Sequence, residues 1–233
     1  MPDSESLTCH PQLTKFADNG FATIAAAIDR PVVELLRLNL QSFASTKAGT
    51  RFLLRDCAAV RDLASSSPLL DIARELLGEG AKPVKAILFD KTTETNWYVT
   101  WHQDLTIGVQ ERIDMPGFGP WSKKEGVDHV QPPATVLENI VALRLHLDDC
   151  GLENGPIKFI AGSHKQGILN QEQIDKLKKE EAVCCIAKQG DIIIMRPLIL
   201  HSSPQATKPD HRRVLHIEYS GTDLPGGLKF ACY

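Results

Sequence analysis

The sequence has no run of roughly 18 to 20 consecutive apolar residues, the length a membrane-spanning helix requires. No transmembrane anchor is expected, and the acidic, polar start Met1-Pro2-Asp3-Ser4-Glu5-Ser6 does not read as a secretory leader. A basic excess is also missing: 26 Lys and Arg stand against 29 Asp and Glu, for a formal net charge of −3. Without a cationic field the chain is not expected to hold nucleic acid or an anionic membrane through counterion release. The six cysteines include no C-x-x-C pair, and the vicinal Cys184-Cys185 would face opposite sides of a strand. They read as reduced thiols used mainly in packing, which points to a cytoplasmic protein without disulfides or a zinc site. Internal repeats and linker-like tracts are absent too.

What is present suits an ordinary globular chain. With 42% hydrophobic and 24% charged residues over 233 positions, a sizeable core is available, and one domain spanning 1–233 is expected. Residues 1–82 read as helical support. Leu35, Leu36, Leu38 and Leu40 follow the proline of Arg30-Pro31, and a second helical period runs from Phe52 to Leu63. The third helix is predicted from Ser67 as cap and Pro68 in the first turn, through Leu69, Ile72, Ala73 and Leu76, to a stop at Gly78.

After Pro83 the pattern changes to about eight short apolar runs broken by turn residues, read as strands. They are Val84 to Phe89, Trp97 to Trp101, Ile140 to Leu147, Ile157 to Ile160, Val183 to Ile186, Ile192 to Met195, Leu198 to Leu200 and Val214 to Tyr219. One helix interrupts them near Asn170 to Glu181, with Asn170 and Gln173 spaced as a capping box. Many short strands after helices, without a β-α-β rhythm, predict an α+β chain: a two-sheet jelly roll with helices packed on one side. The stretch from about 105 to 136 shows no sustained period and reads as an insertion or lid.

A histidine and a carboxylate at i and i+2 on a strand project from one face, as two cis ligands of one metal must. Two such pairs occur, His102-Gln103-Asp104 and His146-Leu147-Asp148. The pair alone is a weak signal. The best third ligand is His201, ending the apolar run Leu198-Ile199-Leu200. Two histidines and one carboxylate on one face of an octahedral metal leave three positions open, which suits non-haem Fe(II) oxygenases. Arg212 and Arg213 open the strand that returns beside His201, and a guanidinium is a natural partner for the distal carboxylate of 2-oxoglutarate. Alternation alone leaves the choice between the two arginines open, since Val214 lies on one face and Leu215 and Ile217 on the other.

Together the motifs Phe89-Asp90-Lys91, Asn96-Trp97, Trp101-His102-Gln103-Asp104, Leu145-His146-Leu147-Asp148-Asp149, Asn154-Gly155-Pro156, Ala161-Gly162-Ser163-His164, Gly190-Asp191 and His201-Ser202-Ser203 with Arg212-Arg213 resemble the phytanoyl-CoA dioxygenase family. The resemblance runs from about Gly20 to Gly227. It implies a double-stranded β-helix core (jelly roll, cupin-like) over 83–227, with Fe(II) as metal and 2-oxoglutarate and O₂ as co-substrates. It places the iron ligands on His102, Asp104 and His201 and the 2-oxoglutarate anchor on Arg212. It further implies oxidative decarboxylation to succinate and CO₂, coupled to hydroxylation of an unactivated C–H bond. The retained Asp104 favours oxygenation over halogenation. Lys91, Asn96 and Gln103 are candidates for cofactor contacts, and Trp121, His129, Gln131, Arg144 and His146 for contacts to a small-molecule substrate. His164 reads as structural, and His10, His211 and His216 receive no role. A cupin-like metal enzyme without 2-oxoglutarate and a non-catalytic binding jelly roll are the competing readings, and no feature selects acyl-CoA over an amino acid, a compatible solute or a secondary metabolite.

Overall fold

The computed structural model describes residues 13–43 and 49–232, so Cys9 and His10 lie outside the described residues. The chain begins with α1 (Phe16–Asn19), β1 (Phe21–Ile24), α2 (Arg30–Leu40), α3 (Leu53–Asp56), α4 (Ala58–Ala64) and α5 (Leu69–Leu77). Then follow β2 (Lys82–Lys91), β3 (Val99–His102), β4 (Ile107–Val109), β5 (Trp121–Lys124), β6 (Val127–Val130), α6 (Ala134–Leu137) and β7 (Ile140–His146). The remainder is β8 (Ile157–Phe159), α7 (Gln171–Leu177), β9 (Val183–Cys185), β10 (Ile192–Met195), β11 (His201–Ser203) and β12 (Arg212–Ser220).

The strands form a five-stranded antiparallel sheet in the order β1-β10-β7-β12-β2, a four-stranded sheet β3-β11-β8-β9 and a three-stranded sheet β4-β6-β5. The first two are the walls of the expected jelly roll. Strand alternation assigns each wall its faces. Leu143 and Leu145 of β7, Ile192 and Ile194 of β10, and Leu215, Ile217 and Tyr219 of β12 form one core with helix residues such as Val33, Leu40, Val60 and Ile72. The helical support therefore covers the outer face of the large sheet. The alternate residues Ala142, Ile193 and Met195 turn inward and meet Ile157, Phe159 and Ile199. α2 shows how little of a helix the sheet needs: Val33, Leu36 and Leu40 are buried, whereas Leu35 and Leu38 on the other face are exposed.

Several expectations hold. α5 stops at Gly78, which takes a positive φ of 89°. Asn170 accepts from the Gln173 N–H while Gln173 returns the bond to the Asn170 N–H, closing the capping box of α7. Cys184 and Cys185 differ in burial as alternation requires, and the five described cysteines are unpaired. No helix among the described residues is long and apolar enough to cross a membrane.

Other expectations are corrected. Ser67 makes no side-chain cap, and Pro68 occupies the cap position of α5. The period from Phe52 to Leu63 is split into α3 and α4, because Cys57 between them is extended. Leu198-Ile199-Leu200 is not a strand. Behind Pro197 the chain turns, with the Ile199 N–H donating to the Arg196 carbonyl and the Leu200 N–H to Ser163 Oγ. All three side chains are buried, so their apolarity reports a packed turn, and the strand starts only at His201. The stretch 105–136, read as an insertion or lid, contains strands for which its sequence shows no period: β5 and β6 form a hairpin turning through Glu125 (φ 50°) and Gly126 (φ 87°), and β4 pairs with β6. With this sheet and β1, the strands number twelve among the described residues.

Tyr219 ties the sheet to the helices. It is fully buried, and its hydroxyl donates to the Ala64 carbonyl at the end of α4 at 2.9 Å. Tyr219→Phe leaves that carbonyl without the donor and should lower the unfolding free energy by about 1–3 kcal/mol, read by urea titration. An unchanged midpoint would show that the bond contributes nothing to docking.

Candidate active site

Strand pairing builds the centre of the site. In the register of β3 against β11, His102 lies opposite His201, and their ring centroids are 4.1 Å apart. Asp104 follows just beyond β3, where its backbone N–H donates to the Pro197 carbonyl. Its carboxylate oxygens lie 3.7 Å from His102 Nε2 and 3.8 Å from His201 Nε2. Each imidazole has its other nitrogen against a backbone carbonyl: His102 Nδ1 with Thr100 at 2.8 Å and His201 Nδ1 with Ile199 at 2.9 Å. A carbonyl can only accept, so Nδ1 carries the proton in both rings and the Nε2 lone pairs converge on the carboxylate. Burial pushes the His201 imidazolium down to about 4, so the ring is neutral near pH 7. Burial opposes ionisation of Asp104, but the facing His201 and His102 outweigh it and hold the carboxyl well below its usual range. Two lone pairs aimed at an anion repel one another unless a cation stands between them. Nitrogen and oxygen donors within 4.8 Å of each other are a fitting donor set for a divalent transition metal.

Gln103, between the two residues, acts as a brace. Its amide nitrogen donates to the Gly167 and Leu198 carbonyls at 2.8 and 2.6 Å, and its oxygen accepts from the Leu169 N–H. All its bonding capacity points at loops, which locks the tract that carries His102 and Asp104.

Facing this centre is the inner face of the large sheet. Arg212 is buried, with Nη1 donating to the Gly155 carbonyl at 2.6 Å and Nε without a partner. Gly155 sits there because the chain packs tightly: its φ is 67°, and a Cβ would stand 2.4 Å from the Pro204 carbonyl oxygen. Arg144 is also buried; its Nη1 donates to His216 Nδ1 at 3.0 Å, and its Nε has no partner. Neither guanidinium has a carboxylate within ion-pair distance among the described residues, and burial presses both pKa values down, that of Arg144 to about 10. Arg213 is on the opposite face, in a two-pronged pair with Asp148 at 2.8 and 2.7 Å. Pleating thus separates the two arginines that the sequence pattern left undivided.

The same geometry divides His146 from Asp148. β3 and β7 both end at their histidine, so the i, i+2 rule fixes neither aspartate: Asp104 turns toward His102 and His201, whereas Asp148 turns outward to Arg213. His146 stays inward, 2% exposed, with both ring nitrogens unpartnered.

A cavity of about 410 Å³ joins the centre to the inner face, lined by His102, Asp104, His201, Arg144, His129 and Arg212 among others. Lys91, Asn96, Trp121, Gln131 and His146 are not among the residues that line it. Lys91 donates to Ser203 Oγ at 2.9 Å and to the Pro204 carbonyl, and burial, then Arg212, lowers its pKa to about 7. Asn96 clamps Ala206 through its carbonyl at 2.9 Å and its N–H at 2.7 Å. Trp121 packs into the apolar cluster of the three-stranded sheet beneath Arg112, and Gln131 makes main-chain bonds to Gly119 and Pro120. His164 bonds the Ala17 carbonyl through Nε2, in keeping with a structural turn, and His211 bonds Asp90.

Lining residues missed in the sequence are Lys85, His216, Arg51 and Lys124. For His216 a signal existed: polar His216 and Glu218 recur at every second position of an otherwise apolar strand, in step with Arg212. A guanidinium only donates, so His216 accepts at Nδ1 and presents Nε2–H to Glu218 Oε1 at 3.2 Å, while Lys85 bonds the same oxygen. Arg51 and Lys124 carry no periodic signal, because they arrive from a connector and a hairpin tip.

The sequence model of the phytanoyl-CoA dioxygenase family matches residues 16–214. Among solved structures the fold is similar to HygX from Streptomyces hygroscopicus, solved with nickel, 2-oxoglutarate and hygromycin B bound, at TM-score 0.67 and 16% identity, covering 91% of this chain and 87% of that one. HygX has also been solved with iron bound. EctD from S. alaskensis, in its apoform, superposes at TM-score 0.70 and 18% identity over 94% of this chain and 79% of that one. SnoK, a non-heme alpha-ketoglutarate-dependent carbocyclase from nogalamycin biosynthesis, does so at TM-score 0.71 and 12% identity over 96% and 88%. At such identities the likeness is one of fold. No match was found among curated proteins.

The orphaned His146 supplies a pH test of the ligand-free protein. Burial first, and then Arg144 and Arg212, lowers its pKa from 6.5 to about 3. The unfolded chain takes up a proton near pH 6.5 that the folded chain refuses, so this stability is present above 6.5 and lost as pH falls toward 3. The thermal midpoint should drop between pH 7 and 4, and His146→Leu should flatten part of that drop. Parallel curves for the two proteins would show that His146 is not held neutral.

Proposed function

Because the chain belongs to the phytanoyl-CoA dioxygenase family, we propose that it is a non-haem Fe(II)/2-oxoglutarate-dependent dioxygenase that hydroxylates an unactivated C–H bond of a small-molecule metabolite. One observation carries the reading: two Nε2 lone pairs and a carboxylate converge across a cavity from a buried guanidinium that has no carboxylate partner among the described residues. The first set asks for a cation and the second for an anion, and an iron ion with a dicarboxylate supplies both. His102, Asp104 and His201 would hold the iron, and Arg212 would hold the distal carboxylate of 2-oxoglutarate. Bound iron supplies the redox chemistry that couples decarboxylation of 2-oxoglutarate, to succinate and CO₂, with oxygenation of the substrate by O₂.

The chain's own residues do the positioning. The Thr100 and Ile199 carbonyls keep the His102 and His201 rings in the tautomer that presents Nε2, and Gln103 holds their tract against two loops. Gly155 and Ser203 orient Arg212, and Lys91 bonds the same Ser203 hydroxyl, bringing a second cationic group to that end. Ile87, Phe89, Trp97 and Val99 line the space between with carbon, which keeps water from the reacting bond. The five described cysteines are unpaired, which suits the reducing setting of the cytoplasm.

Anaerobic addition of Fe(II) and 2-oxoglutarate should produce the visible charge-transfer band of the chelate. His102→Ala or His201→Ala should abolish it, and folded protein without the band would overturn the reading. Arg212→Ala should weaken 2-oxoglutarate by about 10- to 100-fold, the worth of a charge-assisted contact, whereas Arg213→Ala should leave that affinity unchanged and lower only stability. Equal effects would reassign the anchor. Turnover that needed iron but never the keto acid would favour a cupin-like enzyme of another type.

A further inference from the structure

Beyond the iron centre and Arg212, the cavity carries more charge than those assignments use. Four further cationic side chains line it: Arg51, Lys85, Lys124 and Arg144. Two of them have carboxylate partners, Arg51 with Glu125 at 3.2 Å and Lys85 with Glu218. Arg144 is deep and turned to His216. Lys124 stands at the end of β5, next to the hairpin tip, and its ammonium donates to Thr106 Oγ1 at 3.0 Å, with no carboxylate at ion-pair distance among the described residues. Arg51 and Lys85 approach it closely enough that, after burial, they are what depresses its pKa. His129, paired with Ser122 and Gly108 across the same small sheet, feels the same three cations.

Packing does not require this convergence. Arg51 comes from the connector before α3, Lys85 from the large sheet and Lys124 from the insertion, so three separate segments bring like charges to one mouth. Glu125 and Glu218 offset Arg51 and Lys85, which leaves the Lys124 charge without a carboxylate partner among the described residues and open to an anion. Fe(II) with Asp104, 2-oxoglutarate and Arg212 is a neutral set by formal charge, so it leaves that charge uncompensated.

We propose that the substrate carries a carboxylate or phosphate group, received at the cavity mouth by Lys124 and Thr106 with Arg51 and Lys85 beside them. This rests on the Fe(II)/2-oxoglutarate reading. Thr106 is two residues from Asp104, so their Cα atoms are at most about 7 Å apart, and the anionic group is received in the same cavity as the iron centre. The same cavity is lined with carbon by Ile87, Phe89, Trp97 and Val99, which suits a substrate with an aliphatic or aromatic segment.

The test uses paired probes on the full-length protein loaded anaerobically with Fe(II) and 2-oxoglutarate. Hexanoate is compared with hexanamide, and hexyl phosphate with 1-hexanol, by calorimetric titration. At least one anion should bind ten times more tightly than its neutral partner, and the tighter of the two anions identifies the group. Lys124→Ala should cut the preference below threefold, and Lys124→Glu should abolish it, with 2-oxoglutarate affinity measured on the same samples. Equal binding within both pairs, no binding by any probe, or a preference that survives Lys124→Glu overturns the proposal while intact 2-oxoglutarate binding spares the underlying reading. Loss of 2-oxoglutarate binding in the parent protein overturns both.

Discussion

Along β12 every second side chain belongs to a different environment. Leu215, Ile217 and Tyr219 are pressed against the N-terminal helices, while Arg212 and His216 line the cavity and Glu218, on the same side, bonds His216. A slip of one residue would drive an arginine, a histidine and a glutamate into an apolar helix interface and expose three large hydrophobic side chains to the site. The two flanking strands fix the register on both sides, pairing Arg212 with Lys91 and His216 with Arg144. The helical support is therefore part of the site's machinery: by covering one face of the sheet it decides which polar groups must meet on the other.

The polar groups that meet there are not balanced by one another. Among the described residues, Arg144 and Arg212 are buried without a carboxylate, His146 is buried without a hydrogen-bond partner, and the Nε2 atoms of His102 and His201 both aim at one carboxylate. Protein interiors seldom leave charges and hydrogen-bonding groups in this condition, because each unmatched group costs desolvation energy. The contrast with Arg213 is instructive, since the neighbouring residue on the other face is fully matched by Asp148. Stability alone would have treated the two arginines alike. The imbalance on one face is what the proposed metal and anionic co-substrate would complete.

How much of this was legible depended on the range of the interaction. Capping at Asn170, the stop at Gly78 and the alternation in β7, β10 and β12 are local, and local pattern reports them. The apolar run Leu198 to Leu200 misled because burial and strand structure are separate properties, and a turn wedged between two sheets is as dry as a strand. The insertion misled in the opposite direction: its short strands satisfy their hydrogen bonds with little apolar periodicity, so β4, β5 and β6 left only the Glu125-Gly126 turn as a trace. The two-residue rule by itself could not rank His146–Asp148 against His102–Asp104, because each aspartate lies just past the end of its strand.

The sequence by itself determined the residue types the chemistry needs: a histidine and aspartate two apart, a later histidine, two arginines on the return strand, and enough apolar alternation for two sheets. These are properties of spacing, and spacing is written in the chain. Only the tertiary structure decided which groups face one another. It set His102 opposite His201 by strand register, sent Arg212 inward and Arg213 outward, enlisted His216, and brought Lys124 and Arg51 from distant segments to one opening. Those choices depend on sheet register and on which face the helices cover, and both arise from contacts between residues far apart in sequence that no local period encodes.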